Sequence, residues 1–466
     1  MNGTVNLALL GITSLDVLAA GCATPQAILA RQHCRLASLL YTLAQGSSLY
    51  AHRLRNHLDP SAPLHSLPVI RKTELMERFD EWVTDPAITL KGLRRFTADP
   101  QRIGEPYLGR YGVWESSGSS GEPTIFVQDA QSMAINDALE SLRRSPLTPG
   151  ADALAFPGRG ERIAFVGVTT GHFASVVQMH RLQSLYPWAA QALRNISILQ
   201  PLASVVQELN AFAPTLVATY PSVAIALAEQ QACGALRIAP HAIWTGGENL
   251  SAPVRARVAR LLHCAVRDHY GASEFLNIAW ECCCGRLHAN TDWLMLEPVD
   301  DKFRPVPPGH ASATTLLTHL GNRVQPLLRY DLGDQITLAT RPCACGSPFP
   351  VIEVSGRNDP PLQVLGEGGK PVLLLPLAIT TVLEEQAGLY EFQLRQRDGK
   401  TLELQVPQTG EAVELALARG SQALQDYARV QGSVALTIIT RTGIALQRGH
   451  SGKVARVVAP CSSSGL

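Results

Sequence analysis

Between residues 150 and 300 short apolar runs alternate with longer stretches in which apolar residues recur every three or four positions. The runs at 162–168, 216–219 and 242–245 have the length of strands, whereas 253–263 carries helical spacing. Strands that alternate with helices need crossover connections, which predicts a mostly parallel sheet. Residues 25–145 read as mainly helical, most clearly at 27–50, with Pro68 and the turn-rich stretches around it as punctuation. After about residue 356 the texture changes. Short strands at 392–397, 402–406 and 435–439 surround a helical run at 411–429, a small α+β unit. No internal repeat is visible, and the only biased segment is the Ser-rich end at 461–465. The predicted fold class is therefore α/β: a large N-terminal domain over 1–356, with mostly parallel sheet layers and helices, and a small α+β C-terminal domain over 357–466.

A chain of 466 residues exceeds one ordinary hydrophobic core, which agrees with two unequal domains. Hydrophobic residues make up 46% and charged residues 17%, a globular balance that leaves no room for a long disordered tail. Lys and Arg number 40 against 39 Asp and Glu, so no overall field draws the chain to nucleic acid or to an anionic membrane, and neither is an expected partner. The apolar stretch 5–20 runs into Ala20-Gly21-Cys22 and has the outline of an export signal. No Lys or Arg precedes Arg31, however, and Asp16 interrupts the run. An amphipathic first helix and a cytoplasmic location are the expectation. Ten cysteines do not make a disulfide scaffold in so large a chain; five of them crowd into two short clusters, which points to metal.

Several segments carry candidate chemistry. Trp114-Glu115-Ser116-Ser117-Gly118-Ser119-Ser120-Gly121-Glu122-Pro123-Thr124 packs glycines and hydroxyls into one loop, able to wrap phosphate oxygens with backbone N–H groups or to serve as a Ser/Gly linker. It lacks the Gly-Lys-Ser/Thr ending of a Walker loop. Thr245-Gly246-Gly247-Glu248 ends an apolar run at a place where open sheets bind ligands. Asp268-His269-Tyr270-Gly271-Ala272-Ser273-Glu274 and Tyr330-Asp331-Leu332-Gly333-Asp334 each end in a carboxylate. Gly356-Arg357-Asn358-Asp359 and Gly452-Lys453-Val454-Ala455-Arg456-Val457 come after them. Taken singly, each also reads as an ordinary turn, loop or terminus; the order of all of them is the stronger signal.

In that order the segments resemble the adenylate-forming (acyl-CoA synthetase) superfamily. Thr124, where many members carry lysine, is similar to the phenylacetate-CoA ligase-like branch, as are the cysteine segments and the chain length. The resemblance implies that Ser116, Ser117, Gly118, Ser119, Ser120, Gly121 and Thr124 grip the β and γ phosphates of ATP. It places Gly247 and Glu248 against adenine and the acyl pocket, and Tyr270 on the adenine face with Gly271 and Ser273 in the same segment. It gives Glu274 to Mg2+, Asp334 to the ribose hydroxyls, and Arg357 to a hinge near ribose or phosphate, on which the small domain swings. Lys453 would sit between the attacking carboxylate and the α-phosphate, and His172 beside the acyl pocket. Pro360-Pro361 stiffens the chain after the hinge and limits the swing.

The implied activity joins a carboxylic acid, aromatic by family habit, to AMP with loss of pyrophosphate. The acyl group then passes to a thiol, either coenzyme A or the phosphopantetheine arm of an acyl carrier protein. A small acid, a carrier protein and a second copy in a homodimer are the partners this allows. Two rival readings stay open: a nucleotidyl transferase that adenylates a hydroxyl of a coenzyme-like acceptor, and a noncatalytic zinc-bound scaffold of the same fold.

The cysteine clusters are Glu281-Cys282-Cys283-Cys284-Gly285-Arg286-Leu287-His288 and Pro342-Cys343-Ala344-Cys345-Gly346. Thiolate and imidazole are the usual zinc ligands, and two such turns can close a tetrahedron. The resemblance favours Cys282, His288, Cys343 and Cys345, with Cys284 able to replace His288. A closed shell of this kind would hold a structural Zn2+.

Overall fold

The computed structural model describes residues 6–55, 64–116, 123–143, 161–185, 187–355, 361–447 and 454–459. A hairpin of β1 (Gly112–Glu115) and β2 (Ile125–Gln128) carries the two ends of the Ser/Gly loop. Next come β3 (Ile163–Gly167), β4 (Leu193–Ser197), β5 (Leu216–Thr219), β6 (Ala242–Thr245) and β7 (Ala265–Ala272), all parallel where they pair. This is the parallel sheet that the alternating pattern predicts; every residue of β3 is buried, as a strand covered on both faces requires.

Beyond β7 the sheet turns antiparallel through β8 (Phe275–Glu281) and β9 (Leu287–Ala289). β10 (Leu294–Val299), β11 (Thr314–His319) and β12 (Tyr330–Asp331) form a separate antiparallel sheet. β13 (Gln335–Leu338) and β14 (Val351–Ser355) then return to complete nine strands in the order β13-β14-β9-β8-β7-β6-β5-β3-β4. The alternating pattern does not anticipate this antiparallel half.

After residue 360 come a pair, β15 (Leu362–Leu365) and β16 (Pro371–Leu374), then β17 (Gln393–Gln396), β18 (Thr401–Gln405), β19 (Thr437–Arg441) and β20 (Val457–Val458), the last four in the order β19-β18-β17-β20. The helices Pro376–Ala387 and Glu411–Val430 pack with them. None of these strands pairs with the large sheet among the described residues. The apolar cores are nonetheless continuous, since Leu362, Leu394 and Leu404 belong to one buried cluster with Val166, Val217 and Val258. Gln431 Nε2 also donates to Leu199 O and Gln200 O, each at 3.0 Å.

The N-terminal helix Leu7–Gly21 is capped by Asn6, whose Oδ1 accepts the Leu9 N–H at 3.0 Å. It differs from the amphipathic expectation. Val17 and Ala20 are buried, but Leu7, Ile12 and Leu15 face outward, because the stretch is apolar around most of its circumference. Asp16, which breaks the apolar run, pairs with Arg31 and Arg35 of the next helix, Pro25–Gly46. Among the described residues no helix is long and apolar enough to cross a membrane.

Candidate active site

A cavity of about 1240 Å³ lies at the C-terminal ends of β5, β6 and β7. The helices Ala130–Leu142 and Ala174–Leu185 wall one side, and Thr380, Glu384, Val454 and Arg456 of the C-terminal unit close another. Ligands bind beyond the carboxyl ends of parallel strands because the strands stop there and the connecting loops diverge. Five of the sequence segments meet at this cavity, bringing Ser116, Gly247, Gly271, Ser273, Glu274, Asp334 and Val454 to its wall.

The hairpin fixes the stem of the Ser/Gly loop. Ser116 N–H donates to Thr124 O at 2.9 Å, and Thr124 N–H donates to Ser116 Oγ at 3.0 Å. Thr124 Oγ1 is buried with no hydrogen-bond partner among the described residues, a donor held in reserve at the loop base. Ser117, Gly118, Ser119, Ser120 and Gly121 lie outside the described residues.

The turn between β7 and β8 is set by a register shift between Tyr270 and Ala272. Gly271 approaches the opposite strand so closely that a β-carbon there would stand 1.9 Å from Leu276 O, so no other residue fits without opening the turn. Trp114 Nε1 donates to Ser273 O at 2.8 Å, which ties this turn to the stem of the Ser/Gly loop. Tyr330 Oη donates to Glu274 Oε1 at 2.9 Å, and Tyr270 Oη donates to Asp334 Oδ2 at 2.8 Å. Burial pushes the Glu274 carboxyl above the usual carboxylate range. A cation at that carboxylate would oppose the shift, and a carboxylate oxygen is the kind of ligand that a magnesium ion would take.

At the end of β6, Thr245 Oγ1 donates to Asp268 Oδ1 on β7 at 2.9 Å, yet burial raises Asp268 to about 6. Raising an acid's pKa in the folded state means that ionisation there costs stability, and the cost appears as pH rises from about 4 towards about 6. Asp268→Asn keeps the shape without the charge. Its unfolding free energy relative to wild type should therefore improve by on the order of 2 kcal/mol between about pH 4 and about pH 7. Denaturant titrations at both values check this, and a difference that does not vary with pH would contradict it.

Three expected residues stand behind the cavity wall. Tyr270 uses its hydroxyl on Asp334, and its ring packs beside buried Ala279 and Ile336, so it holds the Asp334 carboxylate and does not line the cavity. The Glu248 carboxylate accepts from Ser222 N–H and Ser222 Oγ–H, both at 2.9 Å, at the start of the helix Pro221–Ala232. A helix N-terminus attracts an anion, which draws Glu248 away from the cavity. His172 is buried with its ring centroid 5.5 Å from Phe96, and burial lowers its pKa; the next residue, Phe173, takes the place at the wall. Arg357 and Lys453 lie outside the described residues. Arg456, overlooked in the sequence, pairs with buried Glu384 at 2.5 Å and lines the cavity.

The cysteine turns meet beside β8, β9 and β14. Ligand atoms of Cys282, His288, Cys343 and Cys345 all lie within 4.8 Å of one another, whereas Cys284 is exposed and outside this set. Cys282 Sγ is 3.7 Å from Cys343 Sγ, and Cys345 Sγ is 3.3 Å from His288 Nε2. Tetrahedral zinc with ordinary bond lengths sets S···S near about 3.8 Å and S···N near about 3.6 Å. His288 Nδ1 lies 2.8 Å from Phe349 O; a carbonyl can only accept, so Nδ1 carries the proton and Nε2 is left with its lone pair towards the sulfurs. The donor set fits zinc.

No protein-family model matches the chain, and no curated protein matches it either. Among solved structures it is similar to 2-hydroxyisobutyryl-CoA ligase in the thioesterification state, in complex with 2-HIB-AMP and CoA. The TM-score is 0.56 at 20% identity, over 93% of this chain and 89% of that one. An open conformation of the same ligase, also in complex with 2-HIB-AMP and CoA, gives 0.53 at 19% identity, over 92% and 90%. The chain has the fold of an AMP-forming acyl-CoA ligase, the fold that its ordered segments resemble.

Proposed function

We propose that the chain activates a carboxylic acid with ATP and passes the acyl group to a thiol. In the first step an acid oxygen attacks the α-phosphorus and pyrophosphate leaves, giving an acyl-AMP. In the second a thiol sulfur attacks the acyl carbon, AMP leaves and a thioester forms. The observation that carries the reading is the convergence of Ser116, Gly247, Glu274 and Asp334 on one cavity at the carboxyl ends of parallel strands. The 2-HIB-AMP and CoA held by the ligase of the same fold support both half-reactions.

In this reading Ser116 and the loop it anchors hold the β and γ phosphates. Asp334, kept in place by the Tyr270 hydroxyl, accepts from the ribose hydroxyls. Glu274 holds a magnesium ion, which would neutralise phosphate charge. Lys453 brings a positive charge between two anions, and the 357–466 unit moves between the two half-reactions over a hinge at Arg357. Phe165, Met179, Leu182 and Trp244 give the cavity an apolar wall suited to an aromatic or branched acid. The phenylacetate-CoA ligase-like branch is the proposed subtype, with coenzyme A or a carrier-protein phosphopantetheine as acceptor. Pyrophosphate release across benzoate, hydroxybenzoates, phenylacetate and aliphatic acids tests the proposal. Release with at least one acid, followed by thioester formation on adding a thiol, is the expected result; silence from all of them removes the ligase.

The cysteine site is assigned a structural zinc. Purified protein should contain about one zinc per chain, and Cys343→Ser should lose it with a fall in Tm of several degrees, since metal binding free energy is folding free energy. Elemental analysis with thermal unfolding checks this, and zinc-free protein of unchanged Tm would count against the assignment.

A further inference from the structure

Three polar side chains that this chemistry does not use line the same cavity: His269 on β7, Asn277 on β8 and Asn136 on the helix Ala130–Leu142. They form one chain of hydrogen bonds with a fixed direction. Asn277 Nδ2 lies 2.6 Å from Asn136 Oδ1 and 3.3 Å from Asn136 O. The backbone carbonyl only accepts, so Asn277 must turn its NH2 towards Asn136 and its Oδ1 towards His269. That Oδ1 lies 2.9 Å from His269 Nε2, which therefore carries the ring proton and donates it. In the neutral ring Nδ1 is then an acceptor. It has no hydrogen-bond partner among the described residues, and a β-carbon on Gly246 would stand 3.8 Å from it, which places Nδ1 against the glycine turn at the cavity.

We propose that His269 reads a hydrogen-bond donor on the acid, a hydroxyl or amino group carried near the carboxyl end of an otherwise apolar acyl group. This rests on the ligase reading and adds a substrate class to it. An acid without the donor would cover the Nδ1 lone pair and leave it unpaired, whereas water satisfies it in the empty site. Such a mismatch costs roughly ten- to a hundredfold in kcat/KM. His269 is thus a specificity-determining residue, held in one tautomer by Asn277.

The test is pyrophosphate exchange with matched acids: salicylate and anthranilate against benzoate and the O-methyl ether of salicylate, and mandelate against phenylacetate. The expected result is a preference of roughly ten- to a hundredfold for donor-bearing acids over their partners in at least one series. The preference should shrink to within about threefold in His269→Phe, which fills the space without an acceptor, and should be partly retained in His269→Gln. Equal turnover of the matched acids by wild-type protein overturns the proposal whether or not the variants fold, and so does an unchanged ratio in folded His269→Phe. If the folded wild type activates no acid at all, the ligase reading itself fails and takes this one with it.

Discussion

Lys453→Ala will slow acyl-AMP formation by roughly a hundred- to a thousandfold, the usual effect of removing one preorganised charge from a developing anion. Thioester formation from preformed acyl-AMP should stay within about threefold of wild type, because the carboxylate and α-phosphate no longer need to be brought together. The residues immediately C-terminal to position 453 are the reason to look for this charge there. Val454 and Arg456 line the cavity, Arg456 is anchored by Glu384 and the Tyr390 carbonyl, and Val457 pairs with Leu394 on β17. The C-terminal strand is thus held with its leading end at the cavity. Single-turnover measurements of the two half-reactions check the prediction, and equal losses in both would refute the role.

Gly271→Ala carries the second large effect. Its β-carbon would meet Leu276 O at 1.9 Å and Leu276 C at 2.8 Å, far inside contact distance, and this obstacle is backbone that cannot swing aside as a side chain could. The β7–β8 turn must open. Glu274, three residues on, and the Tyr270 to Asp334 hydrogen bond would both move with it. Displacement of positioning groups by about 1 Å is enough for roughly a hundredfold loss of rate, and the strain itself should cost about 1–3 kcal/mol or more. Pyrophosphate release and Tm measured side by side check this. A variant with parental rate and Tm would mean that the turn can widen at no cost.

The parts of the site that were legible are those in which one short segment supplies both the backbone geometry and the chemistry. The glycine turn at Gly246–Gly247 ends a strand visible from its apolar run, and it lines the cavity. The cysteine turns were legible too, down to the four side chains that gather, although only the folded chain separates His288 from Cys284. Tyr270, Glu248 and His172 show the limit. Each lies in or beside a recognisable segment, but side chains on neighbouring positions of a strand or turn face opposite ways. Which of them reaches the cavity depends on partners far along the chain: Asp334 for Tyr270, Ser222 for Glu248 and Phe96 for His172.

By itself the sequence determined the α/β class, the parallel strands β3, β5 and β6, the α+β texture after residue 356 and the order of the candidate segments. Local periodicity, length and turn chemistry carry all of these, and nearby residues control them. Only the tertiary structure decided the antiparallel half of the large sheet, the continuous core beneath the C-terminal unit, and the Asn136–Asn277–His269 chain beside Gly246. Their pairing, from eight positions apart for His269 and Asn277 to 141 for Asn277 and Asn136, is chosen by burial and hydrogen-bond satisfaction across the whole fold and leaves no periodic trace in the chain.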